Sequence, residues 1–290
     1  MILDVSMNGG YDFTDNGVEF TYHTPARMKS IAPHSGPVEG GTSVQIVGSR
    51  FYRSANILCR FGDDMDKAVV ANFVNSSLIE CATPPHAPSS LVLYLTMNGV
   101  DFISAEEESS MFTYYPTVSI MSVSPLRIMT KGGTKVHVLG ANFLFSPDLS
   151  CLFGSTLVKA TFYNTSFISC WSPPGENGRE VWFEVANNGV DFSTSGVRLN
   201  YGKLPTVSSV YPNRVSRGMT STLTIKGTDF MPGNTWCRIK TKEKKFKMIL
   251  CNASTNMAMC QIYFPGASID TAFSVSMSTN KVDFASTNIE

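Results

Sequence analysis

Four stretches of the chain alternate apolar and polar residues with a period of two, and each one leads into a similar short motif. The apolar positions lie seven, five and three residues before an asparagine: Met1, Leu3 and Val5; Leu91, Leu93 and Leu95; Val181, Phe183 and Val185; Phe273, Val275 and Met277. Such alternation is typical of a strand with one buried face. An Asn-Gly pair after it favours the positive φ angles of a tight turn, so each stretch predicts a hairpin between two late strands.

The motif that follows each stretch recurs with a period near 90 residues. Its four copies are Asn8-Gly9-Gly10-Tyr11-Asp12-Phe13, Asn98-Gly99-Val100-Asp101-Phe102, Asn188-Gly189-Val190-Asp191-Phe192 and Asn280-Lys281-Val282-Asp283-Phe284. Aromatic strands are predicted after the first three copies, at 18–22, 111–114 and 197–201. The last copy reaches Glu290 before such a strand, which is the pattern of a truncated unit. A fixed period of this kind predicts tandem repeats of one structural unit.

The first half of each unit also repeats. Gly-Gly-Thr precedes an alternating strand that reaches Gly-x-x-Phe, at 40–51 and 132–143, and a variant with Met219 runs from 218 to 230. We expect the strand to break at the later glycine, and the aromatic residue to plug one end of the core. A short opening strand ends at Pro33, Pro125 and Pro212, which predicts edge or strand-end positions because proline cannot donate to a central ladder.

Each unit of about 90 residues therefore offers about seven strands and no helical period, which predicts an all-β sandwich of two sheets. The predicted organisation is a C-terminal hairpin of a preceding module at 1–23, followed by modules at 24–116, 117–204 and 205–290. The linkers between modules are so short that we expect a semi-rigid rod.

The ordered set of motifs resembles the IPT/TIG module. The set comprises strand-Pro, Gly-Gly-Thr, Gly-x-x-Phe, Cys-x-Phe-Gly, Cys-x-x-Pro-Pro, Asn-Gly-x-Asp-Phe and Phe-x-Tyr, and it covers essentially the whole chain. The resemblance implies tandem immunoglobulin-like sandwiches of the E-set type, as in plexin and scatter-factor-receptor ectodomains, Rel-type transcription factors and some starch-acting enzymes. The last unit diverges, because Ile239-Lys240 replaces Phe-Gly and Asn280-Lys281 replaces Asn-Gly.

Charge and hydropathy exclude several classes of protein. Lys and Arg number 23 and Asp and Glu number 23, so no net field attracts nucleic acid or an anionic membrane. No apolar run approaches the roughly 20 residues of a membrane-spanning helix, so any membrane attachment would lie in regions not present here. The first residues carry Asp4 and no basic segment, unlike a signal peptide. If the protein is exported, we expect its signal peptide and anchor to lie outside this sequence.

Six of the seven cysteines recur at equivalent places. We predict one disulfide per module between neighbouring strands, joining Cys59 to Cys81, Cys151 to Cys170 and Cys237 to Cys260. Cys251 is left over, as a free buried thiol or as a rival partner of Cys237. The alternative is that all seven are reduced and act as small buried hydrophobes.

Three Asn-x-Ser/Thr triplets begin at Asn75, Asn164 and Asn252, and each lies six to eight residues before the second cysteine of its module. This recurrence predicts N-glycosylation at one structural place per module, and hence the secretory pathway. A turn that simply favours Asn and Ser would explain it without a sugar.

Other polar clusters are weaker candidates. His23, His34, His86 and His137 lack metal-ligand spacing, and Asp63-Asp64-Met65-Asp66 is predicted to be a solvated turn. The basic run Arg238, Lys240, Lys242, Lys244, Lys245 and Lys247 is either a candidate patch for an anionic ligand or a solvated edge hairpin. The sequence has no Gly-x-Ser-x-Gly, no phosphate-binding glycine loop and no spaced carboxylate pair, so we predict no enzyme, metal or cofactor.

These observations favour a non-catalytic segment of a secreted or cell-surface protein that serves adhesion or receptor-type recognition. The expected partners are a protein or glycan ligand outside the cell and neighbouring modules of a longer chain, with no nucleic acid. The alternatives are accessory modules of a secreted carbohydrate-active enzyme and an intracellular Rel-type dimerisation module.

Overall fold

A computed structural model describes residues 1–64, 67–216, 218–241, 246–263 and 273–286. The chain forms two compact units, Met1–Tyr114 and Tyr115–Glu290. The regular secondary structure of the described residues is almost entirely β-strand, as the alternating sequence predicts, and their single helix is α1 (Glu107–Ser110). Within the described ranges, we find no helical segment that could span a lipid bilayer.

The first unit begins with an isolated hairpin. Strands β1 (Ile2–Leu3) and β2 (Val18–Glu19) pair antiparallel and form a two-stranded sheet of their own. The predicted buried face is exposed here, with Met1 70%, Leu3 49% and Val5 55% accessible, because no facing sheet covers it in the described chain. Such a hairpin is at best marginally stable alone in water.

Ten further strands of the first unit form two sheets. They are β3 (Arg27–Ala32), β4 (Ser35–Pro37), β5 (Ser43–Ser49), β6 (Leu58–Phe61), β7 (Val69–Val70), β8 (Asn72–Asn75), β9 (Leu78–Ala82), β10 (Ser89–Thr96), β11 (Phe102–Ile103) and β12 (Met111–Tyr115). One sheet has the order β3-β5-β9-β8, and the other has the order β4-β12-β10-β6-β7 with β11 beside β10. Ile46 and Ile79 of the first sheet and Leu95 and Phe112 of the second are buried in one core, so the unit is a sandwich.

The second unit contains a sandwich of eight strands, followed by a third set of strands. The eight are β13 (Ser119–Ser124), β14 (Arg127–Met129), β15 (Lys135–Ala141), β16 (Ser150–Phe153), β17 (Thr156–Asn164), β18 (Phe167–Trp171), β19 (Glu180–Ala186) and β20 (Arg198–Gly202). Their order is β13-β15-β18-β17-β16-β19-β20-β14. The long strand β17 pairs with β16 through its first half and with β18 through its second, so it links the two layers.

The third set of strands forms a third sandwich with its own core. Its strands are β21 (Thr206–Tyr211), β22 (Thr220–Thr228), β23 (Thr235–Thr241), β24 (Phe246–Ala253), β25 (Met257–Tyr263), β26 (Phe273–Ser278) and β27 (Ala285–Ser286). Among the described residues their order is β21-β22-β25-β24-β23-β26-β27. Leu223 and Ile225 pack with Ile239, Val275 and Met277, and the last two are apolar positions of the predicted alternation.

The opening prolines mark the point where the chain passes from one layer of a sandwich to the other. Pro33 separates β3 from β4, and Pro125 separates β13 from β14. All four of these strands lie at the end of a sheet path, which confirms the predicted edge position. The missing N–H of proline is harmless there because the chain is leaving one ladder for another.

The Gly-x-x-Phe motif acts differently from the prediction. Gly140 does not break β15 but lies within it. A Cβ at this position would clash with the carbonyl oxygen of Ser119 and with the ring of Phe143, so only glycine fits. The turn comes two residues later, where Asn142 has a φ of 66°. Gly48 and Gly227 meet the same contacts in their own sandwiches, so glycine here allows the close approach of a neighbouring strand and a core aromatic ring.

Candidate functional site

The Asn-Gly-x-Asp motifs form turns that their own side chains close. Asn98 Nδ2 donates to Asp101 Oδ2 at 2.8 Å, and Asn98 Oδ1 accepts from the backbone N of Asp101 at 2.9 Å. The same two bonds recur between Asn8 and Asp12, Asn188 and Asp191, and Asn280 and Asp283. The predicted hairpin turn is longer than the tightest, two-residue type, since residues 97–101 lie between the paired Thr96 and Phe102. The spacing of Asn and Asp reflects this side-chain closure.

In the second unit, the last of these turns contacts the preceding sandwich. Asp283 Oδ2 accepts a hydrogen bond from Thr134 Oγ1 at 2.6 Å, and Asn280 Nδ2 donates to the carbonyl oxygen of Arg127 at 3.1 Å. Thr134 is fully buried. Burial lowers the pKa of Arg127, and the nearby Asp229 carboxylate opposes that shift. The repeated turn thus connects two successive sandwiches through polar contacts.

We expect Asp283→Ala to lower the free energy of unfolding by about 1–2 kcal/mol more than Asp101→Ala does. Both changes remove the acid that closes its own turn, but only Asp283 also accepts from the buried Thr134 hydroxyl. Urea unfolding, with hydrogen exchange of residues 127–134 in parallel, measures the difference. If both variants lose the same free energy of unfolding and hydrogen exchange at 127–134 is unchanged, the contact between Asp283 and Thr134 does not contribute to stability.

The cysteine pairs of the first two sandwiches bridge the core. Cys59 is bonded to Cys81 and Cys151 to Cys170, each with a Cα–Cα distance of 6.4 Å. All four are buried. The predicted placement on neighbouring strands is wrong, because Cys151 on β16 and Cys170 on β18 pair with different residues of the intervening β17. The bridge therefore ties the two layers together.

The third sandwich departs from the predicted pairing of Cys237 with Cys260. Cys251 is bonded to Cys260 at a Cα–Cα distance of 4.5 Å, and Cys237 is a free buried thiol. The reason is the ladder between β24 and β25, which pairs Asn252 with Met259 and so brings Cys251 directly beside Cys260. The three sulfur atoms lie within 4.8 Å of one another. A metal would require thiolates, whereas this geometry accommodates one disulfide and one thiol.

We expect the Cys237 thiol to resist alkylation in the native protein. Burial raises its pKa to about 12, compared with about 8.5 for a free thiol, so almost no thiolate forms near neutral pH. Unfolding then releases a proton at alkaline pH, and the third sandwich should lose stability as the pH rises above about 9. Iodoacetamide labelling at pH 8, with and without denaturant, checks this expectation.

The outcome of that labelling also tests the pairing. Labelling of Cys237 only after unfolding supports the arrangement described above. Labelling of Cys251, with Cys237 protected even in denaturant, would restore the Cys237–Cys260 pairing.

The first two sequons occupy equivalent exposed turns. Asn75 Oδ1 accepts from the N and Oγ of Ser77 at 2.9 and 2.8 Å, and Asn164 Oδ1 accepts from the N and Oγ of Ser166, both at 2.9 Å. In the described part of the chain, neither Nδ2 donates a hydrogen bond. The nitrogen to which a glycan would be attached therefore faces solvent in both turns.

The third sequon lies two residues earlier in its turn. The backbone N of Phe51, Phe143 and Phe230 donates to the carbonyl oxygen of Ser76, Thr165 and Thr255, respectively, which aligns the three turns. By this alignment Ser254, not Asn252, takes the place of Asn75 and Asn164. Asn252 is exposed within β24, and Ser254 Oγ donates to the carbonyl oxygen of Met257. The predicted single structural place thus holds for the first two sequons and not for the third.

The basic run does not form one cationic face in its described part. Arg238 is half-buried, with its guanidinium 3.9 Å from the ring centroid of Phe284 and its Nε donating to Ser276 Oγ. Lys240 is exposed on the same side of β23. Lys247 is exposed too, but it pairs with the buried Ile239 and so lies on the opposite side. Lys242, Lys244 and Lys245 lie outside the described residues.

Arg238 also has a counterpart in the first sandwich. Arg60, like Arg238, directly follows a core cysteine, and its guanidinium lies 4.5 Å from the ring centroid of Phe102. Phe102 and Phe284 are the aromatic residues of the Asn-Gly-x-Asp-Phe motif and its variant. This recurring cation–π contact gives Arg238 a structural role within its sandwich.

The acidic cluster lies at the surface. Asp63 and Asp64 are exposed, and Asp64 Oδ2 is 3.4 Å from Lys67 Nζ. Asp66 lies outside the described residues. Among the histidines, His23 stacks on Tyr52 at 3.8 Å and His137 stacks on Phe167 at 5.6 Å, so these two rings serve packing.

Comparison with known proteins agrees with the repeated motifs. The model of the IPT/TIG domain family matches residues 26–114 and 118–201. The chain is 25% identical over 239 residues to Fibrocystin-L of Mus musculus, covering 81% of this chain and 5% of that protein. It is 23% identical over 256 residues to Plexin-A3 of Rattus norvegicus, covering 79% of this chain and 13% of that protein.

Among solved structures, the full extracellular region of Plexin A4 is similar over 89% of this chain and 23% of that one, with 18% identity and a TM-score of 0.41. The chain thus spans only a small part of the length of these relatives. The two family matches together cover more than half of its residues and confirm the resemblance seen in the motifs. The chain belongs to the IPT/TIG domain family.

Proposed function

We propose that this chain is a non-catalytic segment of a secreted or cell-surface protein, in which rigid immunoglobulin-like modules serve adhesion or receptor-type recognition. The family assignment supports this proposal, as does the similarity to plexins, since the Plexin A4 structure is of an extracellular region. Its modules comprise residues 24–116, 117–204 and 205–290, after the final hairpin of a preceding module.

The observation that carries the proposal is the pairing of two features in each of the first two sandwiches. A buried cysteine pair bridges the layers, and an exposed sequon turn presents a free asparagine nitrogen a few residues before the second cysteine. Disulfides persist in oxidising compartments, and N-glycans are added in the secretory pathway. Both features point to the outside of the cell.

The third sandwich belongs to the same series despite its divergent sequence. Gly227 N donates to the carbonyl oxygen of Asn256, as Gly48 N does to Ser77 and Gly140 N does to Ser166. Asp229 has a left-handed φ of 60°, like Arg50 and Asn142 in the equivalent turns. These backbone contacts support a third module of the same family.

The second sandwich offers exposed surfaces suited to a protein or glycan ligand. On one layer, Lys135 Nζ lies 5.6 Å from the ring centroid of Trp171, which is 55% exposed. On the other layer, the Arg198 guanidinium lies 4.1 Å from the ring centroid of Trp182, which is 51% exposed. Tryptophan and arginine are enriched among residues that dominate binding energies, so these faces are the proposed recognition surfaces.

The experiment is to secrete the chain behind an added signal sequence, cluster it on a multivalent carrier and measure its binding to cells. Pretreating the cells with protease or with glycosidase distinguishes protein from glycan ligands. We expect Trp171→Ala or Trp182→Ala to reduce binding at least tenfold, and Phe145→Ala, which removes another exposed aromatic ring, to leave it unchanged. Failure of the chain to leave the cell folded would contradict the proposal.

A further inference from the structure

We propose that the glycans on Asn75 and Asn164 pack against an exposed apolar cluster on the outer face of their own sandwich and shield it from water. This inference rests on the glycosylation that the proposed function includes. The occupant of each cluster is the first N-acetylglucosamine of the chain's own N-glycan.

In the second sandwich the cluster lies beside Asn164. Leu139 and Phe167 are paired across β15 and β18 and point outward, and Leu139 is 51% exposed. The ring of Tyr163, which is 46% exposed, lies 5.0 Å from the ring of Phe167. The His137 ring stacks on Phe167, with 5.6 Å between the ring centroids, and adds to this aromatic cluster.

The sequon asparagine shares a face with this cluster. Asn164 pairs directly with Phe167 in the ladder between β17 and β18, after a register shift at Tyr163. Directly paired residues of antiparallel strands project to the same side, with Cβ atoms about 5 Å apart. A sugar on Asn164 Nδ2 therefore starts within reach of the Phe167 and Tyr163 rings. The C–H face of a pyranose ring can cover such rings and remove apolar surface from water.

The first sandwich repeats this arrangement with aliphatic residues. Val47 and Leu78 are paired on the outer face, Asn75 pairs with Leu78, and the ladder again shifts register before the asparagine. Val47 is 39% exposed and Val74 is 41% exposed. The same sequon position thus has an exposed apolar pair beside it in two sandwiches of different sequence.

The third sandwich provides the contrast. The outward pair equivalent to Leu139 and Phe167 is Lys226 and Met257. Here the sequon is displaced, and Asn252 pairs with Met259 instead. A charged residue replaces the aliphatic one in the sandwich whose turn lacks the asparagine, as expected if the sugar is what covers the apolar pair in the other two.

The test begins with protein from secreting cells, trimmed enzymatically to a single N-acetylglucosamine at each site. Mass spectrometry first establishes whether Asn164 carries the sugar. In the NMR spectrum, we expect the N-acetyl methyl signal at Asn164 to shift upfield through the ring currents of Phe167 and Tyr163. We also expect cross-relaxation between that methyl and their ring protons.

Thermal unfolding of variants with and without the sugar gives the second readout. We expect the sugar at Asn164 to raise the unfolding midpoint of the second sandwich by about 3 °C relative to Asn164→Gln. This increment should vanish in Phe167→Thr. It should persist in Leu157→Thr, the control, which removes an exposed apolar side chain from β17 instead. The NMR measurement uses the unmutated chain, so it stands even if Phe167→Thr does not fold.

The outcomes separate the two claims. An occupied Asn164 whose methyl signal is unshifted, with the same increment in Phe167→Thr, overturns the packing and leaves glycosylation intact. A bare Asn164 overturns both.

Discussion

Replacing Phe143 with alanine is expected to lower the free energy of unfolding of the second sandwich by about 3–5 kcal/mol. Phe143 is fully buried and forms the end of the core beneath Gly140. Its removal leaves a cavity that the adjoining strand cannot fill, because the backbone N of Phe143 is held by the carbonyl oxygen of Thr165. A loss of this size is a large fraction of the stability of a domain.

Urea unfolding followed by near-ultraviolet circular dichroism or hydrogen exchange measures this loss. The matched control is Phe145→Ala, which removes the same side chain two residues later from a position that is 87% exposed. We expect that control to change stability by less than about 0.5 kcal/mol. Similar losses at both positions would contradict the assignment of Phe143 to the core.

Removing the Cys151–Cys170 bridge by the double change Cys151→Ala and Cys170→Ala is expected to cost about 3 kcal/mol. The bridge closes a loop with a sequence separation of 19, and a loop of that size constrains the unfolded chain by about this amount. Loss of two buried sulfur atoms adds to the effect. Thermal unfolding under non-reducing conditions measures the change.

Reduction provides the control for this variant. A reductant should destabilise the second sandwich of the unmutated protein by a similar amount and leave the second sandwich of the double variant unaffected. If the reductant lowers both equally, or neither, Cys151 and Cys170 are not joined in the folded protein.

The sandwich architecture could be predicted because its causes are local and repeated. The alternation before Asn98, Asn188 and Asn280 identifies the buried faces at Leu93, Leu95, Phe183, Val185, Val275 and Met277, all of which are buried. Because the period is about 90 residues, the same unit occurs three times, and each copy supports the strand assignments of the others. Local patterning and repetition together determine the fold class.

Features that depend on contacts between distant residues could not be predicted in this way. From the sequence, the glycine of Gly-x-x-Phe predicts a bend in the strand. In the structure, Gly140 instead leaves room for the carbonyl oxygen of Ser119, 21 residues earlier in the chain. Similarly, an Asn-Gly pair predicts a tight turn, but it does not reveal that the carboxylate of the following Asp closes this turn through the Asn side chain. Both corrections come from three-dimensional proximity.

The third sandwich shows the same limit at its cysteines and sequon. Sequence spacing aligns Cys237 with Cys59 and Cys151, but the β24–β25 ladder places Cys251 beside Cys260. The displacement of Asn252 is visible only when the three turns are aligned by the hydrogen bonds of Phe51, Phe143 and Phe230. The spacing between sequon and cysteine differs by only two residues among the three modules, but this difference moves Asn252 to another structural position.

We propose that these modules fold outside the cell with bridged cysteines and sugar-bearing turns. Non-reducing peptide mapping, with site-occupancy mass spectrometry, of the chain secreted from eukaryotic cells tests both features at once. We expect peptides joining Cys59 to Cys81, Cys151 to Cys170 and Cys251 to Cys260, and glycans on Asn75 and Asn164. Cysteines that are alkylated without reduction, together with bare Asn75 and Asn164, would contradict the extracellular assignment.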